Sequence, residues 1–214
     1  VGPFTVVDYS AIEARVIAWL AGEEWTLEAF RKGRDIYVET AERMSTPTKK
    51  LDRSQGKVAV LALGFQGSIN SLRVMGATGS DRELKFLVDS WRAANPHVVE
   101  MWAEMEEAFI RGGKVGSFVT VERDGTDRRV VLPSGRSIQY HGFKVVWEDT
   151  AYGRRPRPTF VEPTKGFRQR TYGGRLTENM VQGTARDVLA DALVRLEERG
   201  FLPVGHIHDE ILVE

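Results

Sequence analysis

The chain contains no cysteine. Disulfides and thiolate-bound metals are therefore excluded, and the composition fits a reducing compartment. No run of 18 apolar residues occurs, so the sequence offers no helix able to span a membrane. Nothing at the N-terminus reads as a signal peptide. Histidine is scarce, with four residues and no zinc-like spacing. Neither sign of charge is in surplus, because 30 Lys and Arg balance 30 Asp and Glu over 214 residues. Net charge is thus silent about a polyanionic partner. Its distribution is less so: Lys165 to Arg175, KGFRQRTYGGR, carries four basic residues, no acid and two aromatics. What is present in quantity is ordinary. A hydrophobic share of 42% and a charged share of 28% suit a chain that buries a core in one or two domains.

The periodicity alternates between strand and helix. Phe4 to Asp8 reads as a strand that ends on a carboxylate. Ser10 and Glu13 have the spacing of a capping box, with a helix through IEARVIAWLA that stops at Gly22. Helical segments are expected at about 34–44, 52–65, 81–94 and 96–111, the last introduced by Asn95-Pro96. From Val115 to Phe160 the period shifts toward two, as in β-hairpins. Arg154-Arg155-Pro156-Arg157-Pro158 reads as a flexible basic loop. A long helix is expected over about 177–199, then a hairpin from Pro203 to Glu214 with Asp209 near its turn. The five tryptophans read as core or partly buried. The first strand and last hairpin are expected in one sheet, bringing Asp8 and Asp209 together. The chain opens directly into a strand and closes on one, so it reads as a fragment of a larger protein.

Three constellations carry chemistry. Asp8 and Asp209, at two strand ends, suit Mg²⁺, which takes one or two carboxylates and completes its shell with water and phosphates. Arg53, Lys57, Leu61 and Phe65 recur every four residues and share one broad helical face. Arg53 and Lys57 are like charges at i,i+4, which an anion between them would stabilise. Leu61 and Phe65 read equally as core residues. Gly56, Gly64 and Gly67 each weaken a helix by about 1 kcal/mol, so something is expected to approach the backbone closely. On the long helix, Arg175, Asn179, Gln182 and Arg186 lie within about 40° of one direction. They form a hydrogen-bonding stripe beside an apolar face. Such amides and guanidinium groups reach minor-groove acceptors and phosphates, though a plain solvated face has the same pattern. Glu13 is either a capping acid or a site residue. His208 orients the turn, and His206 packs locally.

Asp8-Tyr9-Ser10-Ala11-Ile12-Glu13-Ala14-Arg15 resembles the first palm motif of family A DNA polymerases. Arg53, Lys57 and Phe65 match the spacing of that family's fingers helix. His208-Asp209-Glu210 matches its last palm motif, and Gln182 in VQGTARD its minor-groove helix. TYGGRLTENMVQGTARD and LPSGR are most similar to phage-type members. The resemblance implies an α+β fold: an antiparallel palm sheet with packed helices, a mainly helical fingers subdomain and a β-rich insert. It divides the chain into palm (1–25 and 166–214), fingers (26–113) and insert (114–165). It implies template-directed DNA synthesis from dNTPs on primer–template DNA, in the cytoplasm. Asp8 and Asp209 would bind two Mg²⁺ ions, with Mn²⁺ as a substitute, and Glu210 would join the catalytic group. Arg53 and Lys57 would hold phosphates, Leu61 and Phe65 would line the nucleotide site, and Glu13 would exclude a ribose 2′-hydroxyl. Arg175, Asn179, Gln182, Arg186 and His208 would contact DNA. A thumb and an exonuclease domain would lie outside this chain. Departures are Leu61 for an aromatic, Gln66 for a glycine, and Glu178 where an Asn is expected. A single-subunit RNA polymerase would not carry the bulky Glu13. A nucleic-acid-binding module that had lost catalysis would not keep both aspartates and Lys57.

Overall fold

A computed structural model describes residues 4–150, 153–164 and 166–214. Val1 to Pro3, Ala151, Tyr152 and Lys165, the first residue of the basic run, lie outside the described residues. Strand β1 (Thr5–Asp8) leads into α1 (Ile12–Ala21). Then come α2 (Glu24–Arg31), α3 (Ile36–Met44), α4 (Arg53–Leu63), α5 (Ile69–Val74), α6 (Asp81–Ala94) and α7 (Pro96–Arg111). Six strands follow: β2 (Gly113–Val115), β3 (Val119–Asp124), β4 (Asp127–Val131), β5 (Ser137–Thr150), β6 (Gly153–Val161) and β7 (Arg168–Arg170). Helix α8 (Gly173–Glu198) and the hairpin β8 (Pro203–Ile207) and β9 (Glu210–Val213) close the chain. All strand pairs are antiparallel and segregated from the helical block, so the architecture is α+β.

Two sheets organise it. The first has the order β1-β9-β8, so the N-terminal strand and the C-terminal hairpin do share a sheet. Ile211 and Val213 pack from it onto Leu189, Leu193 and Leu196 of α8. The second is a meander in sequence order from β2 to β7. The main core joins α1, α4, α6, α7 and α8 to strands β2 to β6, through Trp91, Trp102, Met105, Phe109, Tyr140 and Met180. Buried Arg128 ties the meander to α7. Its guanidinium donates to the carbonyls of Phe109 (2.9 Å) and Ile110 (3.2 Å) and stacks on Phe143. The cation thereby satisfies orphan acceptors at a helix C-terminus.

The glycine cost in α4 has its explanation in packing. A Cβ on Gly56 would lie 2.0 Å from the carbonyl oxygen of Tyr37, so α3 and α4 cross in backbone contact. Gly56→Ala is expected to destabilise the fold by about 1–3 kcal/mol, the usual cost of overpacking. Urea unfolding measures it, and an unchanged midpoint would refute the contact.

Several expectations need correction. The Ser10–Glu13 capping box does not form: Ala11 is the N-cap, in the left-handed region at φ 54, and no side chain caps it. Glu13 instead accepts from Gln182. Helices α2 and α5 were not anticipated, because both are short and no side-chain cap marks the entry to α2. Helix α4 ends at Leu63, so Phe65 sits in the turn beyond it. Helix α8 begins at Gly173, well before residue 177. Trp147 is 56% exposed rather than packed. Arg154 to Pro158 form part of strand β6, not a flexible loop. Pro158 accepts from Thr171 N–H on the side away from β5. A residue's N and O point the same way in a strand, so neither Pro158 nor Pro156, two residues earlier, removes a rung of the β5–β6 ladder.

Candidate functional site

The two sheet ends meet as the strand pattern requires. Asp8 is the register partner of Glu210, and Tyr9 N–H donates to the Asp209 carbonyl at 3.5 Å. Asp209 lies in the two-residue β8–β9 turn beside His208, whose φ is 54. Asp8, His208 and Glu210 are exposed, and Asp209 is half-buried. The donors offered here are carboxylate oxygens, which suit hard cations. Among the described residues no group of three or more His, Cys, Asp or Glu could hold a metal by itself. A cation at this end would rest on one or two carboxylates and draw its other ligands from water or phosphate. Such a donor set suits a hard cation that keeps much of its shell open to other ligands.

Two cavities open beside these carboxylates. The first, about 220 Å³, is lined by Glu13, Tyr37, Leu61, Phe65 and Asp209 among others. Residues from α1, α3, α4 and the final hairpin thus face one space, although they span most of the chain. The second, about 340 Å³, is lined by Tyr9, Glu13, Gln182, Arg186, His208 and Asp209. Glu13 and Asp209 line both. Gln182 Nε2 donates to Glu13 Oε1 at 3.1 Å, joining α8 to α1 across the boundary.

The basic helix face sits beside the first cavity. Arg53 Nε donates to Asp35 Oδ2 at 2.7 Å, and its guanidinium lies over the Tyr37 ring. Arg53 holds the Asp35 carboxyl below its usual range, and Asp35 also caps α3 through Tyr37 and Val38 N–H. Lys57, one turn on, is exposed and makes no ion pair among the described residues. Neither cation lines the first or second cavity, whereas Leu61, 47% exposed, lines the first. A core role for Leu61 is therefore excluded. Phe65 is half-buried and packs partly on the core while lining the same cavity.

The turn carrying Phe65 is clamped from three sides. Trp102 Nε1 donates to Gly64 O (3.0 Å), Arg92 to Gly67 O (3.1 Å), and Gly174 N–H to Gln66 Oε1 (2.9 Å). Gln66 adopts φ 63, a conformation costing a non-glycine residue about 1–2 kcal/mol. The hydrogen bond that the Gln66 side chain accepts from Gly174 N–H of α8 offsets that strain. It also explains why glutamine can stand at a position that favours glycine. A Cβ on Gly174 would meet Phe65 O at 2.5 Å and one on Gly173 would meet Trp102 O at 2.0 Å, so this turn dictates Gly174 and the α7 backbone dictates Gly173.

The remaining stripe residues separate. Asn179 Nδ2 donates to Tyr140 OH at 2.8 Å. Burial pushes the Tyr140 hydroxyl up to about 12, so it stays protonated and holds α8 to β5. Arg175 is half-buried and, like Asn179, lines neither cavity. Sequence reasoning missed Tyr37 and Asp35. An Asp followed by an amphipathic run is an N-cap signal that marks the start of α3, but nothing local reveals that the same carboxylate holds Arg53. Glu178, which stands where an Asn is expected, lines a groove with Leu61 and Phe65, and its pKa is raised by burial, then by the charge of Glu13.

No protein-family model matches the chain. Over 99% of its length it is 42% identical to a DNA polymerase of Bacillus phage SP02, and over 97% it is 31% identical to the thermostable DNA polymerase I of Thermus aquaticus. It spans 35% and 22% of these relatives. The polymerase domain of Pol1 from M. smegmatis, solved in complex with DNA primer–template and dNTP, has the same fold. It matches all of this chain with 33% of its own length, at a TM-score of 0.60 and 18% identity.

Proposed function

The chain is homologous to a segment of family A DNA polymerases, and from that premise we propose that it forms the palm and fingers of a template-directed DNA polymerase. Residues 1–25 and 166–214 are the palm, 26–113 the fingers and 114–165 a β-rich insert. The observation that carries the reading is the first cavity, where Glu13, Leu61, Phe65 and Asp209 face one space. Asp8 and Asp209 hold the divalent cations, with Glu210 beside them. Mg²⁺ bound there supplies Lewis-acid activation of the primer 3′-hydroxyl and steadies the leaving pyrophosphate. Lys57 and Arg53 bind the triphosphate, and Lys57 protonates pyrophosphate as it leaves. Gln182, Arg186 and His208 contact the primer–template beside Asp209, with Arg175 and Asn179 nearer the start of α8. The thumb that grips duplex DNA lies outside this chain. Primer extension by the full-length natural protein with Mg²⁺, comparing dNTPs with rNTPs, tests the reading. Failure to extend with dNTPs would reject it, and a preference for rNTPs would favour RNA synthesis.

Two residues set the choice of sugar. Glu13 lines both cavities and accepts from Gln182, which orients its carboxylate toward the proposed nucleotide site. Glu13→Ala is expected to raise rNTP use relative to dNTP by roughly 10–100-fold, the range for lost steric and polar discrimination of about 1–3 kcal/mol. An unchanged ratio in a folded variant would leave Glu13 as a packing residue. Leu61 presents no hydroxyl to the sugar. Leu61→Tyr is expected to raise dideoxynucleotide use at least about tenfold, worth 1.4 kcal/mol. A ratio equal to that of the natural protein would mean the side chain does not face the sugar.

A further inference from the structure

The register of the meander segregates charge onto one face. Cross-strand partners share a face, as do alternate residues of one strand. The pairs Lys144↔Thr159, Val146↔Arg157, Glu148↔Arg155, Thr159↔Arg170 and Val161↔Arg168 therefore place Lys144, Arg155, Arg157, Arg168 and Arg170 together. Five cations meet one carboxylate, Glu148. It already contacts both Arg157 (3.8 Å) and Arg170 (2.8 Å). Lys144, Arg155, Arg168 and Arg170 are exposed. Trp147 pairs with Pro156 and Arg154 with Asp149, so the aromatic side of the ribbon is the opposite one. A chain with no net charge has thus concentrated positive charge on one sheet face, where like charges repel unless an anion joins them.

This face adjoins the site. Arg157 lines a groove of about 730 Å³ together with Phe65, Leu61, Asn70 and the exposed Tyr172. Leu61 and Phe65 line the first cavity as well, so groove and cavity are neighbours across these two side chains. A polymer leaving the cavity past Phe65 runs by Tyr172 and meets the cationic face. A basic track with aromatics along it is the recognition chemistry of single-stranded nucleic acid.

We infer that the β5–β6–β7 ribbon binds the unpaired template strand by its phosphates. The inference rests on the polymerase reading above. It assigns a role to the region whose prolines and arginines resemble a loop in sequence.

The test uses the full-length natural protein. Fluorescence anisotropy measures its binding to a primer–template with a single-stranded 5′ template overhang and to the same duplex without one. The variant is Lys144→Glu, Arg155→Glu, Arg170→Glu, and a neutral version carries Gln at each position. A control places Glu at Lys32, Arg82 and Arg199, exposed on other elements. The charge-reversed variant is expected to lose at least about tenfold affinity for the overhang probe, with the blunt duplex and the control changing less than about twofold. The neutral variant should lower the log–log salt slope by about 2, since each phosphate contact on a single strand contributes about 0.7. Circular dichroism confirms folding. Equal loss on both probes, equal loss in the control, or no loss would overturn the inference. If the unaltered protein binds neither probe, the polymerase reading itself fails. If it binds the blunt duplex and the overhang adds nothing, only the ribbon assignment fails.

Discussion

Asp8→Asn or Asp209→Asn, introduced into the full-length protein, is expected to reduce primer extension by at least about 10³-fold while primer–template affinity changes little. The residues lie at adjoining strand ends, where Asp8 faces Glu210 in the register and Tyr9 N–H reaches the Asp209 carbonyl. Asparagine keeps the size and shape of aspartate, exchanges one acceptor oxygen for an NH₂ donor and removes the charge. Stability should therefore hold while cation binding fails. A loss of 10³-fold corresponds to about 4 kcal/mol of transition-state stabilisation, within what a positioned Lewis acid supplies. The decisive measurement pairs single-turnover extension with Mn²⁺ binding by paramagnetic relaxation. Normal extension by either variant would remove its carboxylate from the reaction. Lost extension with unchanged Mn²⁺ binding would mean that the defect lies elsewhere.

Lys57→Ala should lower kcat/KM for dNTPs by roughly 10²–10³-fold, the scale for removing one charged donor aimed at developing negative charge. Arg53→Ala should do less and act mainly on KM. The difference follows from the ion pairs. Lys57 makes none among the described residues, so its charge is available to an anion. Arg53 is engaged by Asp35 and stacked on Tyr37, so an incoming phosphate has to share it. If the two variants behaved alike, that distinction would be wrong. If neither changed kcat/KM, this face of α4 would be structural.

Much of the fold is legible in local pattern. Helices α6 and α7 match their expected limits because Ser80 with Glu83 forms a true capping box and Pro96 sits at N1. The β1-β9-β8 sheet follows from short apolar runs at the two ends of the chain. What stayed hidden depends on tertiary contact. Ser10 has the right spacing for a cap, but the turn is made by Ala11, and Glu13 answers to Gln182, 169 positions away. Strand β6 is invisible to propensity because its prolines are tolerated only where their nitrogens face away from the ladder. The long helix starts at Gly173 rather than near residue 177, and the backbone of Trp102 and Phe65 requires glycine at its first two positions. The site is partly legible in the same sense. Residue types and spacing nominate Asp8, Asp209, Glu13 and the α4 face. Only packing reveals that Leu61 is exposed, that Asp35 holds Arg53, and that Asn179 is taken by Tyr140.

The backbone contact at Gly56 has a mechanical consequence. With the Tyr37 carbonyl against α4, neither helix has clearance to slide along the other. Asp35 and Arg53 pin the same crossing at its outer end. Helices α3 and α4 therefore act as one stiff lever. Any swing of α4 about the connections at its ends carries Tyr37 with it, so one wall of the first cavity travels with the cations. Opening that cavity and withdrawing Lys57 are then a single displacement, and a substitution that loosened the crossing would uncouple them.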